Sequence, residues 1–212
     1  MKRKHQINEN SYQMLFNFLN SFLKIEDKDF EPYLISVLKG YWCNEGEETL
    51  HKEGHICKKG WFITKGMIYL YFIDKHKGDV VFMLFRAGEI AVVPHSFMNA
   101  APANCYIMAC ADSELLEMSK TEIDMMHERF PKSFGLENAV ISRIPEKYRE
   151  RDSLLCLEPE VRMQTFFCLY SELHPNNKTV KMPDKNIASY LHIDQARFCR
   201  LKNKLYPKKS PE

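Results

Sequence analysis

The first forty residues carry apolar side chains at helical spacing. One apolar stripe runs from Tyr12 to Leu23, and a second begins after Asp27 and ends near Gly40. Apolar residues that recur every three or four positions lie on one face of a helix. We therefore predict two helices that pack against a core. Their apolar positions are Tyr12, Leu15, Phe16, Leu19, Phe22, Leu23, Phe30, Leu34, Val37 and Leu38.

Between residues 41 and 119 the pattern changes to short runs of β-branched and aromatic residues, separated by glycines and turns. Such runs are typical of strands, and the interspersed glycines weigh against a helical domain. Regular short strands punctuated by turns predict an antiparallel roll or jelly roll. The runs cover residues 61–64, 67–73, 80–85, 105–109 and 114–118.

Helical periodicity returns after residue 120. Thr121 begins a Thr-x-x-Asp segment that resembles a capping box, which predicts a helix start there. A longer helical pattern covers residues 133–157, and Pro145 should kink or split that helix because proline has no backbone N–H to donate. A further helix is predicted over residues 159–173, with Pro159 in its first turn.

Residues 182–205 predict two short helices joined by a tight turn. Pro183 and Asp184 suit the start of the first helix, because proline has a helical φ and a carboxylate is favourable at a helix N-terminus. The helical pattern breaks at His192, and Asp194 can cap a second helix by accepting a backbone N–H. Two helices in this arrangement form a helix-turn-helix.

The second of these helices combines an apolar face with a polar, cationic face. Phe198, Leu201 and Leu205 repeat the buried positions. A helix with Gln, Arg and Lys on its outer face suits the major groove of DNA. The alternative is an ordinary helical hairpin whose cationic face is solvated. The candidate DNA-contacting residues of the two helices are Lys185, Asn186, Gln195, Ala196, Arg197, Arg200, Lys202 and Lys204.

Charge is distributed unevenly along the chain. From residue 178 onward nine Lys and Arg residues stand against three Asp and Glu residues, which gives about +6, whereas the whole chain carries +2. The residues before 178 therefore carry a net charge of about −4. An acidic body followed by a basic segment favours a nucleic-acid partner.

The overall composition fits a globular chain. The 212 residues are 45% hydrophobic and 27% charged, and this length suits two small domains or one larger one. No apolar run approaches the roughly 18 residues that a membrane helix needs, so we expect a cytoplasmic protein without a membrane partner. Seven cysteines without a Cys-x-x-Cys pair predict reduced thiols rather than a disulfide framework or a zinc ribbon.

Short segments along residues 30–205 match a known family in order and spacing. The matching residues are Glu53-Gly54, 61–66, 69–71, Gly78, 85–89, Pro183, 187–191, Ile193 and Arg200. Together with the predicted order of elements, they resemble the cyclic-AMP receptor protein / fumarate-nitrate regulator family of bacterial transcription factors.

The resemblance implies an α+β fold with three parts. Residues 1–132 would form N-terminal helices and an antiparallel β-roll, a jelly roll of the cyclic-nucleotide-binding type that acts as a sensor. Residues 133–157 would form a connecting helix that pairs two subunits. Residues 158–212 would form a helix-turn-helix DNA-binding domain.

The cyclic-nucleotide cassette of the family departs here from its usual pattern. The resemblance implies a second Gly-Glu for the ribose and an arginine for the cyclic phosphate, but this chain lacks that Gly-Glu and has Ala103 and Asn104 at the arginine position. A buried phosphate needs a cation and N–H donors, so usual cyclic-AMP binding is not expected and no cofactor is predicted. A pocket for another small effector and a roll without a ligand stay open. The pocket candidates are Gly88, Glu89, His95, Ser96 and Asn104.

The DNA-reading residues are carried over from the family by position. Arg200 matches the arginine that reads guanine and contacts phosphate, while His192 replaces the glycine favoured at the turn. We do not expect the β-hairpin wing that often follows this motif, and Lys208 and Lys209 could supply part of its phosphate contacts. The resemblance implies a homodimer on double-stranded DNA and leaves contact with RNA polymerase open. No cysteine precedes residue 43, which excludes the iron–sulfur branch, whereas haem sensing stays open.

Two other classes of function are compatible with the sequence. The first is a ligand-binding or protein-interaction module that has lost DNA binding. The second is a metal-dependent enzyme of the cupin type with His51, His55 and His95 as ligands. A strand places alternate residues on one face, so the spacing from His51 to His55 does not suit a cupin site, and we do not expect an enzyme.

Overall fold

The structure is a computed structural model that describes residues 2–4, 7–44 and 46–207. Its strands form two antiparallel sheets, one with five strands and one with four. The strands are β1 (Lys2–Lys4), β2 (Lys39–Cys43), β3 (Glu48–His51), β4 (Lys59–Lys65), β5 (Met67–Asp74), β6 (Gly78–Arg86), β7 (Ile90–Ala91), β8 (Tyr106–Ala109) and β9 (Ser113–Ser119). The five-stranded sheet has the order β1-β2-β9-β4-β7, and the four-stranded sheet has the order β3-β8-β5-β6.

The two sheets enclose an apolar interior. Ile63 and Leu115 enter it from the five-stranded sheet, and Leu70, Phe85 and Ile107 enter it from the four-stranded sheet. All five are almost completely buried. This is the predicted roll, so the α+β fold class is confirmed. The five predicted strands are present, whereas β1, β2, β3 and β7 were missed because two to five residues give too short a pattern.

Two N-terminal helices cover the outer face of the five-stranded sheet. They are α1 (Glu9–Asn20) and α2 (Phe30–Val37), close to the predicted ranges. Leu15 of α1 packs on Phe62 and Leu116 of the sheet. Two further helices, α3 (Pro94–Asn99) and α4 (Lys120–Arg129), belong to the same half of the molecule.

The cap of α4 differs from the prediction. The helix is capped by Ser119 rather than Thr121, and Glu122 completes a Ser-x-x-Glu capping box. The hydroxyl of Ser119 accepts the backbone N–H of Glu122 at 3.3 Å, and Glu122 Oε2 accepts the backbone N–H of Ser119 at 2.7 Å. Strand β9 leads directly into the cap, and this Ser/Glu pair matches the favoured capping box better than the Thr/Asp pair does.

The predicted connecting helix is split in two. A 3₁₀ turn at Pro131–Ser133 leads into α5 (Phe134–Ser142), and α6 (Ile144–Leu155) follows after Arg143. Pro145 lies in the first turn of α6, where the missing N–H is tolerated. In an uninterrupted helix this N–H would have bonded to the carbonyl four residues earlier, and its loss separates α5 from α6.

The C-terminal helices share one core with the roll. They are α7 (Pro159–Leu169), which a 3₁₀ turn at Ser171–Leu173 extends, α8 (Asp184–Tyr190) and α9 (Gln195–Leu205). Phe166 and Phe198 of these helices belong to the same buried cluster as Met67 and Leu84 of the four-stranded sheet. The cluster is therefore continuous across the boundary between the roll and the C-terminal helices.

Arg162 braces the junction between α6 and α7. Its guanidinium donates to the carbonyls of Leu155 at 2.9 Å and Leu157 at 2.8 Å, at the end of α6, and to the carbonyl of Leu191 at 2.7 Å, at the end of α8. Carbonyls at a helix C-terminus have no partner within the helix, so one side chain satisfies several of them. No local sequence pattern indicates this role.

Candidate nucleic-acid interface

Local sequence signals build the turn between α8 and α9 as predicted. Asp194 Oδ1 accepts the backbone N–H groups of Ala196 at 3.0 Å and Arg197 at 3.1 Å, which caps α9. His192 has a left-handed backbone with φ +50° in place of the glycine that such a position favours. Ala188 is buried, and its carbonyl accepts the N–H of Ile193 at 3.0 Å.

One face of α9 is buried and the opposite face is exposed. Phe198 is 0% exposed, whereas Gln195, Ala196, Arg197 and Arg200 are all exposed. Within the part of the chain that the structure describes, no hydrogen bond or ion pair engages the guanidinium groups of the two arginines. The exposed face can therefore present amide and guanidinium donors to a polyanion.

The other candidate cations differ in their availability. Lys185 is exposed, at the start of α8. Lys202 forms an ion pair with Asp184 of α8, and Lys204 forms one with Glu160 of α7 at 2.9 Å. These two pairs tie α9 to its neighbouring helices, and they reduce the charge that Lys202 and Lys204 can offer to a ligand. The tail lysines Lys208 and Lys209 lie outside the described residues.

Asn186 is not at the surface. It is buried, and its side-chain amide donates to the hydroxyl of Tyr69 at 3.0 Å and to Glu47 Oε1 at 3.2 Å. The Tyr69 hydroxyl donates to the same carboxylate oxygen at 2.7 Å. Burial, together with this hydrogen bond, raises the pKa of Tyr69 above its ordinary value. The predicted DNA contact at Asn186 is corrected accordingly, because the side chain joins α8 to the roll in this conformation.

Ser189 docks α8 on β6, an edge strand of the four-stranded sheet. Its hydroxyl accepts the backbone N–H of Val81 at 3.0 Å and donates to the carbonyl of Asp79 at 2.9 Å. An edge strand otherwise has unpaired backbone groups, and covering them removes a site of unwanted strand pairing. The helix that carries the turn is thus fixed directly to the roll.

Arg151 of α6 links the same strand to the turn. Its guanidinium donates to the carbonyls of Tyr190 at 3.1 Å and Val81 at 3.4 Å, and it lies 2.8 Å from Nε2 of His192. Burial, followed by the positive charge of Arg151, lowers the pKa of His192. The imidazole is therefore neutral at neutral pH, and its Nε2 accepts the hydrogen bond. Sequence reasoning missed Arg151 because its partners lie 39 to 70 residues away.

A groove of about 540 Å³ separates the hairpin between β5 and β6 from the α8–α9 turn. Lys77 and Asp79 line it on the hairpin side, and Lys185, His192 and Gln195 line it on the helix side. The hairpin tip is ordered by its own sequence, because Asp74 Oδ1 accepts the backbone N–H of Lys77 at 2.9 Å. The hairpin therefore holds a lysine beside the N-terminus of α9.

The residues that were predicted as an effector pocket do not meet in one place. Glu89, next to Gly88, forms an ion pair with Lys147 of α6 at 2.5 Å. Ser96 is completely buried, and its hydroxyl accepts the backbone N–H of Cys57 at 2.7 Å. His95 and Asn104 are exposed. We therefore do not retain this set as a single pocket.

The position that would hold the phosphate-binding arginine is apolar. Ala103 is buried, and its backbone N–H donates to the carbonyl of His55 at 2.8 Å. Phe97 and Val93 occupy the neighbouring interior of the roll. No cation stands at this position to pair with a cyclic phosphate.

The histidines of the cupin alternative make other contacts. His51 Nε2 lies 3.0 Å from the carbonyl of His55, and His95 lies beside Asn99. Among the residues that the structure covers, no three His, Cys, Asp or Glu side chains are grouped as metal ligands. All seven cysteines are free thiols, and four of them are buried. In the same residues no helix has the length and apolar character needed to cross a membrane.

Several solved structures have a fold similar to that of this chain. A proposed transcriptional regulator of the Crp/Fnr family from Eubacterium rectale aligns over 93% of this chain and 88% of its own, with TM-score 0.66 and 13% identity. The c-di-GMP responsive global regulator CLP of Xanthomonas campestris aligns over 84% and 91%, with TM-score 0.61 and 12% identity. A cyclic nucleotide-binding domain from Methylobacillus flagellatus covers 70% of this chain and 86% of its own, with TM-score 0.60 and 15% identity.

No protein-family model and no curated protein matches the chain. The structural likenesses establish that the fold is that of a cyclic-nucleotide-binding-type β-roll with flanking helices. At this identity they carry the fold alone.

Proposed function

We propose that this chain is a sequence-specific DNA-binding transcriptional regulator of the Crp/Fnr type that acts as a homodimer. One observation carries the proposal: α9 buries Phe198 completely and leaves Arg197 and Arg200 exposed on its opposite face. A helix anchored on one side, with unengaged guanidinium groups on the other, suits insertion in a major groove. The regulators with the same fold give independent support.

The residues of the face have separable roles. Arg200 and Gln195 are proposed to contact base edges, because a guanidinium pairs with guanine and an amide pairs with adenine. Ala196 can contact only an apolar group such as a thymine methyl. Arg197 and Lys185 are proposed to contact phosphates, which position the protein on the duplex. Lys202 and Lys204 contribute less, and Asn186 is not included, because their side chains are engaged within the protein.

Lys77 extends the phosphate-binding surface from the roll. Replacing Lys77 by Gln should weaken binding to all duplexes by a similar factor and lower the slope of log K against log salt by about two units, one for each subunit of the dimer. Lys28→Gln, which removes an exposed charge ahead of α2, is the matched control. Fluorescence anisotropy at graded salt concentrations measures the affinity and the salt slope of each variant. An unchanged slope in Lys77→Gln would show that the hairpin does not approach the DNA.

The proposed subunit contact includes α6 and an aromatic cluster beside it. Tyr148 of α6 is 46% exposed and stacks on Phe82 with a centroid distance of 6.3 Å, and Phe82 contacts Phe72, which is also exposed. The remaining exposed positions of α6 are largely polar. The cluster is therefore the apolar surface around which a symmetric interface could form.

Tyr148→Glu should shift the protein from dimer to monomer, because it places a charge in the centre of that interface. We expect the dissociation constant of the dimer to rise roughly tenfold or more, as for a central aromatic contact. Met125→Glu, on α4 with the same exposed fraction of 46%, is the control. Sedimentation equilibrium measures both variants. If both variants kept the wild-type association, another surface would have to pair the subunits.

The proposed function is tested by titrating fluorescent promoter-length duplexes with the protein at several salt concentrations. We expect saturable binding with a steep dependence on salt, because several cations replace counterions on the phosphates. Weak binding at every salt concentration would instead favour a ligand-binding or protein-interaction module that has lost DNA binding.

A further inference from the structure

A second site lies outside the roll interior, between the five-stranded sheet and the helices that cover it. The space there is a cavity of about 120 Å³. Leu15 and Leu34 line it from α1 and α2, Leu116 lines it from the sheet, and Met126 and Val140 line it from α4 and α5. Protein interiors contain few voids larger than a water molecule, so a void of this size between packed elements calls for an explanation.

The lining of the cavity restricts the chemistry of an occupant. Apart from Gly60 and Glu137, the lining residues within the described part of the chain are apolar. The Glu137 carboxylate is engaged by His127 Nε2 at 2.5 Å. Its other oxygen, Oε1, is buried, lies 3.6 Å from Lys120 Nζ and accepts no hydrogen bond within the described residues. An anionic ligand would therefore lose its hydration here without gaining a partner. Apolar cavities of this kind stay dry and accept apolar molecules.

Gly60 is the second, independent observation. It lies inside β4 and lines the floor of the cavity, but its backbone does not require glycine, because its φ is not positive. A Cβ atom built at this position would approach only the carbonyl oxygen of Ala91, at 3.9 Å. Glycine weakens a strand, and an unexplained strand glycine often marks a place where a ligand approaches the backbone closely.

We infer that this cavity is a binding site for a small, neutral, apolar molecule, such as a single aromatic ring or an alkyl chain of similar size. An engineered cavity of roughly 150 Å³ accepts benzene, so the space here suits a molecule of about that size or slightly smaller. The inference does not depend on the proposed DNA binding.

The test uses the full-length protein with methyl-¹³C methionine and benzene as the probe. Met118 and Met126 line the cavity. Met163 and Met182 belong to the core cluster that contains Phe198, and they serve as internal references. We expect saturable shifts of the Met118 and Met126 methyl resonances and none at the references. Absence of these shifts up to the solubility of benzene would overturn the inference.

Two variants and one control test the position of the ligand. Gly60→Ala adds one methyl group to the cavity floor without a steric clash, so it should remove the benzene-dependent shifts and leave the fold intact. Leu34→Ala enlarges the cavity and should tighten the binding of benzene. Leu84 is buried in the cluster that contains Phe198, so Leu84→Ala should leave the affinity for benzene unchanged. Benzene-dependent shifts that persist in Gly60→Ala would place the ligand elsewhere and would contradict the assignment.

Discussion

Replacing Arg200 by alanine should remove sequence-selective DNA binding while the protein stays folded. Arg200 is exposed on α9, and no bond within the described residues holds its guanidinium. A bidentate contact to guanine contributes about 1–3 kcal/mol of discrimination, so the two contacts of a homodimer contribute about 2–6 kcal/mol, which corresponds to roughly 30- to 20,000-fold. We expect the preferred duplex to lose affinity by this factor, so that it approaches the affinity of a scrambled duplex. Competition binding at one fixed salt concentration measures the ratio.

Two further variants separate base reading from charge. Arg200→Lys keeps the positive charge but loses the planar pair of donors, so it should retain general affinity and lose selectivity. Arg129→Ala removes an exposed arginine of α4 and should change neither. If Arg200→Ala and Arg129→Ala had equal effects, Arg200 would not read a base.

Phe198→Ala should lower the free energy of unfolding by about 3–5 kcal/mol, as expected for deletion of a completely buried aromatic ring. Phe198 belongs to a cluster that also includes Met67 and Leu84 of the four-stranded sheet. A cavity there should therefore destabilise the roll as well as the C-terminal helices. Val161→Ala, at a position that is 47% exposed on α7, should change the value by less than about 0.5 kcal/mol.

The position of the two tryptophans makes this measurement decisive. Trp42 lies in β2 and Trp61 in β4, so their fluorescence reports on the N-terminal roll. We expect the denaturation midpoint followed by tryptophan fluorescence to fall in Phe198→Ala together with the midpoint followed by circular dichroism. If only the midpoint followed by circular dichroism fell, the C-terminal helices would unfold as an independent domain. This result would agree with the three-part division predicted from the sequence.

Features that depend on nearby residues could be predicted from the sequence. The cap at Asp194 and the split at Pro145 each follow from the chemistry of one residue and its immediate neighbours. The left-handed backbone at His192 was expected only through the family resemblance, in which glycine is favoured at that position. The fold class was also accessible, because the change from helical to strand periodicity extends over whole segments.

Features that depend on distant residues could not be predicted in the same way. The helical pattern leaves Asn186 free to point outward, but its partners, Glu47 and Tyr69, lie 139 and 117 residues away in sequence. Lys204 is likewise engaged by Glu160, 44 residues away. Periodicity identifies the face of a helix but not the surface against which that face packs, so part of the candidate interface was assigned to DNA when it serves the fold.

The effector-pocket prediction had a different weakness. Gly88 and Glu89 were grouped with His95, Ser96 and Asn104 through the resemblance, although the phosphate-binding cassette itself is altered here. In the structure, the hydroxyl of Ser96 instead accepts the backbone N–H of Cys57, which is not a member of the set.

Selection of bound sequences from a random duplex library tests whether this chain reads DNA. We expect enrichment of a palindromic sequence whose half-sites are centred about one helical turn, or a small multiple of it, apart, because two copies of α9 would read them symmetrically. We also expect Arg200→Ala to lose the enrichment at a defined base pair in each half-site. A library that shows no enrichment with the wild-type protein, even at low salt, would contradict the claim that this chain reads DNA.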